Sequence, residues 1–420
     1  MTHIFRPSRR PRWPAFLVFI LISGVQAGIQ PRTAFSEGLS LDSCLARATS
    51  NNPALRATDR EVSAAQARLR QAGALDAPSV SYSVGKLGTA ISSQEHDASI
   101  RLSQDLSAPG QRGHAVRVAR IDAALSETNR ESFALKLRGD VTRSYRRLQA
   151  DILVARALES LRGTATDLER MVGARLRTGG ARYLDVLRAR AERVRIENDM
   201  LEADRVARED RRGLNALMAR APDEPLEPSD SLVFRPLTDS LSVLIDRVRT
   251  LRPRLIAARL EVTRATAGIA FAKNGLLPAA TLSAGLDRVP GVDRPGFGGE
   301  ISFSLPFVPW SDRRAKIAEA HATQQGSVDR MEATDREVET AIRNAYGAAR
   351  TAGRQVEQFD RLLLADASDA IRTAVQNYQA GQIDGLELFE TLRTFRSIRL
   401  EYIRALLNYE LSLTDLAVAE

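Results

Sequence analysis

Strict alternation of apolar and polar residues occurs in four short stretches of the chain. Val80, Tyr82 and Val84 alternate with Ser79, Ser81 and Ser83, and Ala98, Ile100 and Leu102 alternate with Ser99, Arg101 and Ser103. Farther on, Ala280, Leu282, Ala284 and Leu286 alternate with Thr281, Ser283, Gly285 and Asp287. Ile301, Phe303, Leu305 and Phe307 then alternate with Glu300, Ser302 and Ser304. A period of two predicts strands, at about 79–86, 97–106, 279–288 and 299–307, each with one apolar face and one small, polar or charged face. Elsewhere the spacing is helical. Residues from about Arg112 to Arg177, and from Arg313 to Tyr378, contain few breakers and many Ala, Leu, Arg and Glu. Helices of some 65 residues would be roughly 100 Å long and need partners along their whole length. Stripes such as Val338, Ile342 and Tyr346, or Leu392, Phe395 and Ile398, supply the packing seam. Gly179-Gly180 and Gly381 predict where the long helices stop. Helices then run back from about Tyr183 to Met218 and from Leu386 to Ala417, giving two long hairpins with exposed tips.

The same design occurs twice. Asn52-Pro-Ala-Leu-Arg matches Arg252-Pro-Arg-Leu-Ile, Glu61-Val62 matches Glu261-Val262, Pro78 matches Pro278 and Pro109 matches Pro309, each pair 200 apart. At the far end Gly179 and Asp185 match Gly381 and Glu387, 202 apart. A near-constant offset over most of the chain marks an internal repeat. The expected organisation is a secretory signal over 1–27, a first repeat over 28–218, a Pro-rich linker over 219–239 and a second repeat over 240–420. Pro222, Pro225, Pro228 and Pro236 mark the linker. The signal rests on Arg6, Arg9, Arg10 and Arg12, the apolar run from Ala15 to Ile22, and Val25-Gln-Ala27 as a small-x-small cleavage site.

Composition narrows the function. Aromatic residues make up only 5% of the 420, few for a large globular core and enough for long amphipathic helices. The net charge of +8 loses four units with the signal, and the remaining arginines alternate with acids, as in Arg188–Glu192 and Arg193–Glu197. Solvated helix faces look like this; a nucleic-acid footprint would be a clustered basic patch. Cys44 is the single cysteine, so no intrachain disulfide forms, and it suits a small apolar helix position. His3, His96, His114 and His321 are widely separated, with His96 in an expected external loop and Pro295-Gly-Phe-Gly-Gly299 in another. No catalytic constellation, cofactor motif or metal-ligand spacing is present, and the chain reads as a non-enzyme. Strands of about ten residues with Ser-rich inner faces, behind a secretory signal, point to a membrane barrel. Four strands cannot enclose a lumen, and open edges are not tolerated in lipid, so other copies of the chain must complete the barrel. Three copies would give twelve strands.

Leu39-Ser-Leu-Asp-Ser-Cys-Leu-Ala-Arg-Ala-Thr-Ser-Asn-Asn-Pro53 resembles the opening helix of the TolC-like outer-membrane efflux family. Asn377-Tyr378-Gln-Ala-Gly381 with Leu386-Glu-Leu-Phe389 resembles that family's Tyr-x-x-Gly hairpin tip. Arg175-Leu-Arg-Thr-Gly179 with Leu184-Asp-Val-Leu187 resembles the tip of the other repeat. The resemblance covers about residues 38–418. It implies a mainly α fold with membrane β: a homotrimer with a twelve-stranded outer-membrane β-barrel, four strands per chain, continued by a long periplasmic α-helical barrel. It also implies a passive exit duct without cofactors, docked by a periplasmic adaptor, with an inner-membrane pump of RND or ABC type behind it. By the same resemblance, Glu387 and Glu390 form the acidic pore constriction and Tyr378 and Asp384 hold the gate. Arg175, Leu176, Gly179, Tyr378 and Gly381 meet the adaptor. Ala108-Pro-Gly-Gln-Arg-Gly113 and Ile317-Ala-Glu-Ala320 resemble the cation-efflux branch, although Val308-Pro-Trp-Ser-Asp-Arg-Arg314 departs from that branch's Asn-rich turn. Type I protein secretion by the same kind of channel, and a soluble periplasmic helical scaffold, are the alternative readings.

Overall fold

The computed structural model describes residues 37–86, 96–288, 294–304 and 310–419; the expected signal segment and strand positions 305–307 lie outside them. The elements in chain order are β1 (Glu37–Leu39), α1 (Leu41–Asn51), α2 (Pro53–Gly73), β2 (Ser79–Lys86), β3 (His96–Leu106), α3 (Gln111–Arg177) and α4 (Tyr183–Leu217). Then come β4 (Leu226–Pro228), α5 (Leu241–Leu251), α6 (Pro253–Asn274), β5 (Ala280–Arg288), β6 (Gly296–Phe303), α7 (Trp310–Gln358), a π-helical turn (Phe359–Leu363), α8 (Leu364–Ala380) and α9 (Gly385–Ala419).

The period-two stretches pair into one antiparallel sheet in the order β2-β3-β5-β6. Its register puts Tyr82, Ile100, Leu286 and Phe297 in one row, and Ser81, Arg101, Gly285 and Gly298 in the next row on the opposite face. The apolar face is uncovered: Tyr82 is 67% exposed and Phe297 78%. Exposed apolar surface costs roughly 25 cal/mol per Å² in water, so a face dominated by it calls for an apolar surrounding. Two expectations are corrected here. His96 is not in a loop but begins β3, paired with Lys86, and Gly296–Gly299 is not a loop but the first half of β6. The glycines of β6 join the ladder because Gly285 and Gly298 face each other across it, where backbones need no side-chain filling.

The helices continue the strand order. α2 packs on α3, α3 on α6 and α6 on α7, so a single layer α2-α3-α6-α7 extends the sheet below its rim. At the start of each repeat, a cap residue ties the first helices to the end of the returning one. Asn52 accepts from the Ala54 and Leu55 amides at 2.9 and 3.2 Å and donates to the Leu217 carbonyl at 2.9 Å. Proline at the next position costs nothing there, since a first-turn amide has no helical partner. Arg252, its repeat mate, cannot accept, but its guanidinium donates to the Val418 carbonyl at 2.6 Å. The same tie is thus made by different chemistry.

Between the repeats the linker is strapped to both long hairpins. β4 pairs in parallel with β1. The fully buried Tyr145 hydroxyl lies 2.9 Å from the Leu39 carbonyl and 3.0 Å from the Asp230 carboxylate, which also accepts the Leu41 amide at 2.9 Å. Tyr409, equally buried, donates to the Arg235 carbonyl at 2.6 Å. Cys44 lies fully buried in α1, as a small apolar residue should.

The first long helix is continuous, whereas the second is broken by the π-helical turn. The repeat offset explains why. Buried Val141 and Leu148 match buried Ile342 and Ala349 at an offset of 201, while buried Ala165 and Val172 match buried Ala367 and Ala374 at 202. One residue has been gained between 349 and 367, and a π turn is how a helix absorbs an extra residue without rotating its buried stripe away from its partners. Deletion of Leu362, which is 64% exposed, is therefore expected to restore an unbroken α-helix and leave the thermal midpoint in detergent unchanged or higher. Deletion of Ala349, in regular helix, should rotate the lower seam by about 100° and unfold the hairpin. Equal damage from both deletions would refute this account of the turn.

On the α3–α4 seam, burial and the neighbouring Asp210 carboxylate push Asp151 up to about 7. A carboxyl raised in the folded state holds its proton more tightly there, so its contribution is present below about pH 4 and lost as pH rises through 7. Asp151→Asn is expected to raise the midpoint at pH 8 and to lose that advantage by pH 4 to 5. A pH-independent difference would show that the carboxyl is not the strained group.

Candidate functional site: hairpin tips and barrel wall

Both long helices end in the same backbone motif. Gly179 and Gly381 are left-handed, with φ of 79° and 78°. The Gly180 amide reaches the Arg175 carbonyl and the Gln382 amide the Asn377 carbonyl, each at 2.8 Å. The Gly179 and Gly381 amides close the inner bonds to Leu176 and Tyr378 at 3.1 Å. Only glycine takes this conformation without a steric cost of roughly 1 kcal/mol, which is why the turn signal was readable.

The returning helices are capped in complementary ways. In the first repeat the Arg182 amide donates to Asp185 Oδ2 at 3.1 Å. In the second the Glu387 amide donates to Asp384 Oδ1 at 3.0 Å. Asp185 is thus consumed by its own helix end, while Glu387, its repeat mate, keeps an exposed carboxylate because Asp384 does the capping.

Arg175 joins the two tips. Its guanidinium donates to the Tyr378 carbonyl and sits 4.8 Å from the centre of the Tyr378 ring. It fills the groove between the two glycine turns: a Cβ on Gly180 would meet Arg175 Nε at 3.3 Å, and one on Gly381 would meet its Nη2 at 3.4 Å. Gly385 is equally confined, since a Cβ there would lie 2.7 Å from Asp185 Oδ1. The structure therefore brings Arg175, Tyr378, Gly381, Asp185 and Gly385 into one cluster. Tyr378 is buried, and its hydroxyl has no hydrogen-bond partner among the described residues, so no bond joins it to Asp384. Burial raises its pKa. Leu176 is half-buried, and Gly179 and Gly381 are exposed. Glu387 and Glu390 both stand exposed at the start of α9; Glu390 is paired with Arg393 at 2.7 Å.

Sequence reasoning missed two features here. Glu192 of α4 is buried and ringed by Arg195, Arg393 and Arg396 at 3.2, 3.1 and 3.0 Å, which ties α4 to α9. Leaving such a group unpaired typically costs 3–5 kcal/mol. Sequence spacing sets Glu192 against Arg188 on a solvated face, but Arg188 instead pairs with Asp185 at 3.5 Å. The second feature is a set of exposed apolar side chains, Tyr183, Leu184, Leu187 and Leu386, at the two tips. Apolar surface left uncovered at a tip is the mark of a contact surface.

At the other end, the polar face of the sheet carries Ser83 and Ser99 with their hydroxyls 2.7 Å apart, Thr281 donating to Asp105 at 2.6 Å, and an Arg101–Glu300 ion pair at 2.8 Å. Among the described residues, no His, Cys, Asp and Glu group has metal-binding geometry, and no helix is long and apolar enough to cross a membrane. The membrane-compatible surface is that of the sheet.

Comparison with known proteins agrees with this geometry. The model of the family described as outer membrane efflux protein matches residues 44–220 and again 244–419, once per repeat. The cobalt-zinc-cadmium resistance protein CzcC of Cupriavidus metallidurans is 23% identical over 380 residues, 88% of this chain and 86% of that protein. The solved outer-membrane channel OprN superposes with a TM-score of 0.77 at 17% identity, over 90% of this chain and 89% of that one. CusC, a protein whose structures describe transmembrane channel formation, superposes with 0.76 at 19%, over 92% and 93%. With both halves of the chain matched in the order the repeat requires, the chain belongs to the outer membrane efflux protein family.

Proposed function

We propose that three copies of this outer-membrane efflux channel protein close one twelve-stranded barrel, and that the duct passes divalent metal cations handed over by a pump and adaptor on the periplasmic side. The observation that carries the reading is the sheet: β2 and β6 are its outer strands, one face is mostly apolar, interrupted by Gln104 near one end and Arg288 at the other, and the opposite face is polar. β2 and β6 run in opposite directions, so β6 of one copy pairs antiparallel with β2 of the next and no edge is left in lipid. The α2-α3-α6-α7 layer then closes into a helical barrel beneath it.

The cargo reading is supported by the CzcC relative, whose name is of cobalt-zinc-cadmium resistance, and by the exposed Glu387. Three copies of an exposed carboxylate at the narrow end attract cations and repel anions. Arg175 locks the tips by holding the Tyr378 carbonyl, and Leu176, Gly179 and Gly381 present the surface an adaptor meets. The exposed Tyr183, Leu184, Leu187 and Leu386 widen that surface with an apolar rim. The energy comes from the pump; the channel supplies a wet path through lipid.

In planar bilayers under a salt gradient, Glu387→Gln with Glu390→Gln is expected to move the reversal potential toward zero without altering the oligomer. Glu387→Gln alone should account for most of the change, because Arg393 already offsets Glu390. A reversal potential that stays put in the double variant would refute the acidic constriction.

A further inference from the structure

The polar face of the barrel wall has an uneven charge distribution. Its described side chains include three carboxylates, Asp105, Asp287 and Glu300, and a single cation, Arg101. The remainder are Ser, Thr and Gly. Arg101 does not project freely. It lies across the sheet from β3 over β5 and reaches Glu300 of β6 at 2.8 Å. Its path is a strip with no side chains, because the residues beside it in the row are Gly285 and Gly298. At Gly285 the strip is obligatory, since a Cβ there would lie 2.8 Å from the Ile100 carbonyl and 3.4 Å from Arg101 Cα and Cβ. At Gly298 it is open, with Asp287 Oδ2 the nearest atom to a Cβ at 3.8 Å. Arg101 is 41% exposed and Glu300 58%, so both groups remain in contact with the aqueous bore.

We propose that the barrel bore is a second ion filter, separate from the tips, and that Arg101 is the residue that sets its strength. The inference rests on the reading that this face lines a lumen. A wall with carboxylates in excess concentrates cations. A pore that holds them too tightly does not pass them on, because conduction needs sites weak enough to leave. By neutralising Glu300, Arg101 leaves Asp105 and Asp287 as the acting charges, and Thr281 already engages Asp105. In a trimer the pattern repeats three times around the bore. Arg101 is thus a specificity-determining residue: its removal strengthens the cation preference, and removal of Glu300 weakens or reverses it.

The bore potential can be read without current and without opening the tips. Ser81 is exposed and stands in the same row as Arg101, and Cys44 is buried, so Ser81→Cys adds one reactive thiol to an otherwise silent chain. Outer membranes carrying the full-length protein are treated from outside with a cationic (trimethylammonium-ethyl) or an anionic (sulfonatoethyl) methanethiosulfonate. The thiolate displaces methanesulfinate from either reagent to form a mixed disulfide, and each rate is divided by the reagent's rate with a small thiol. The cationic reagent is expected to react faster. Arg101→Gln should raise the cation-to-anion ratio about three- to tenfold, as one unit charge at under a Debye length implies. Glu300→Gln should lower it, and the double variant should return near the starting value. A ratio that ignores Arg101→Gln, or an anion preference in the unaltered bore, overturns the proposal. A thiol unreactive to both reagents would overturn it together with the lumen itself. A failed tip constriction leaves this readout unaffected, so the two filters are tested separately.

Discussion

A four-stranded sheet that is apolar on one face, polar on the other and unpaired along both outer strands suits neither water nor lipid by itself. In water it exposes Val80, Tyr82, Ile100, Phe297, Ile301 and Phe303; in lipid its edges leave backbone donors and acceptors unmet. Closure with other copies removes both penalties at once. The rest of the molecule follows from that requirement. The helices must leave the sheet in strand order, they must be long because they form the wall of the same tube below the membrane, and they must fold back in hairpins because each repeat returns to start the next.

The two repeats show what such a tube holds fixed and what it lets vary. The glycine turns at both tips are the same motif down to their bonded atoms, since φ near 80° leaves little alternative. The ties between first and last helices are kept in position but exchanged in chemistry, Asn52 to Leu217 in one half and Arg252 to Val418 in the other. At the caps the exchange has a consequence: Asp185 spends its carboxylate on its own helix, whereas Asp384 takes over that work and leaves Glu387 facing solvent. The repeat supplies two equivalent acids, and of the two Glu387 keeps the exposed carboxylate.

Much of this was legible from residue order. The strands showed because a half-exposed sheet enforces period two, and the tips showed because left-handed turns demand glycine. The offset growing from 200 to 202 announced extra residues in the second long helix, but only the buried positions on either side placed one of them at Phe359–Leu363. What stayed hidden depends on long-range packing. Nothing near Glu192 marks it as buried among three arginines, nothing near Arg175 foretells that it lies on Tyr378, and a glycine run such as Gly296-Phe-Gly-Gly299 reads as a loop until Gly285 is seen beside it. His96 was misplaced for the same reason: strand ends are set by the partner strand and not by local composition.

The central claim is that one chain is an incomplete barrel. Its most direct test is the molecular mass of the protein extracted from outer membranes in mild detergent, corrected for bound detergent. The account predicts a particle of three chains, recovered from the membrane fraction and absent from the soluble one. A soluble single chain would contradict it, because the apolar face and the outer strands of the sheet would then have to be satisfied within one copy, and the described fold gives them no way to be.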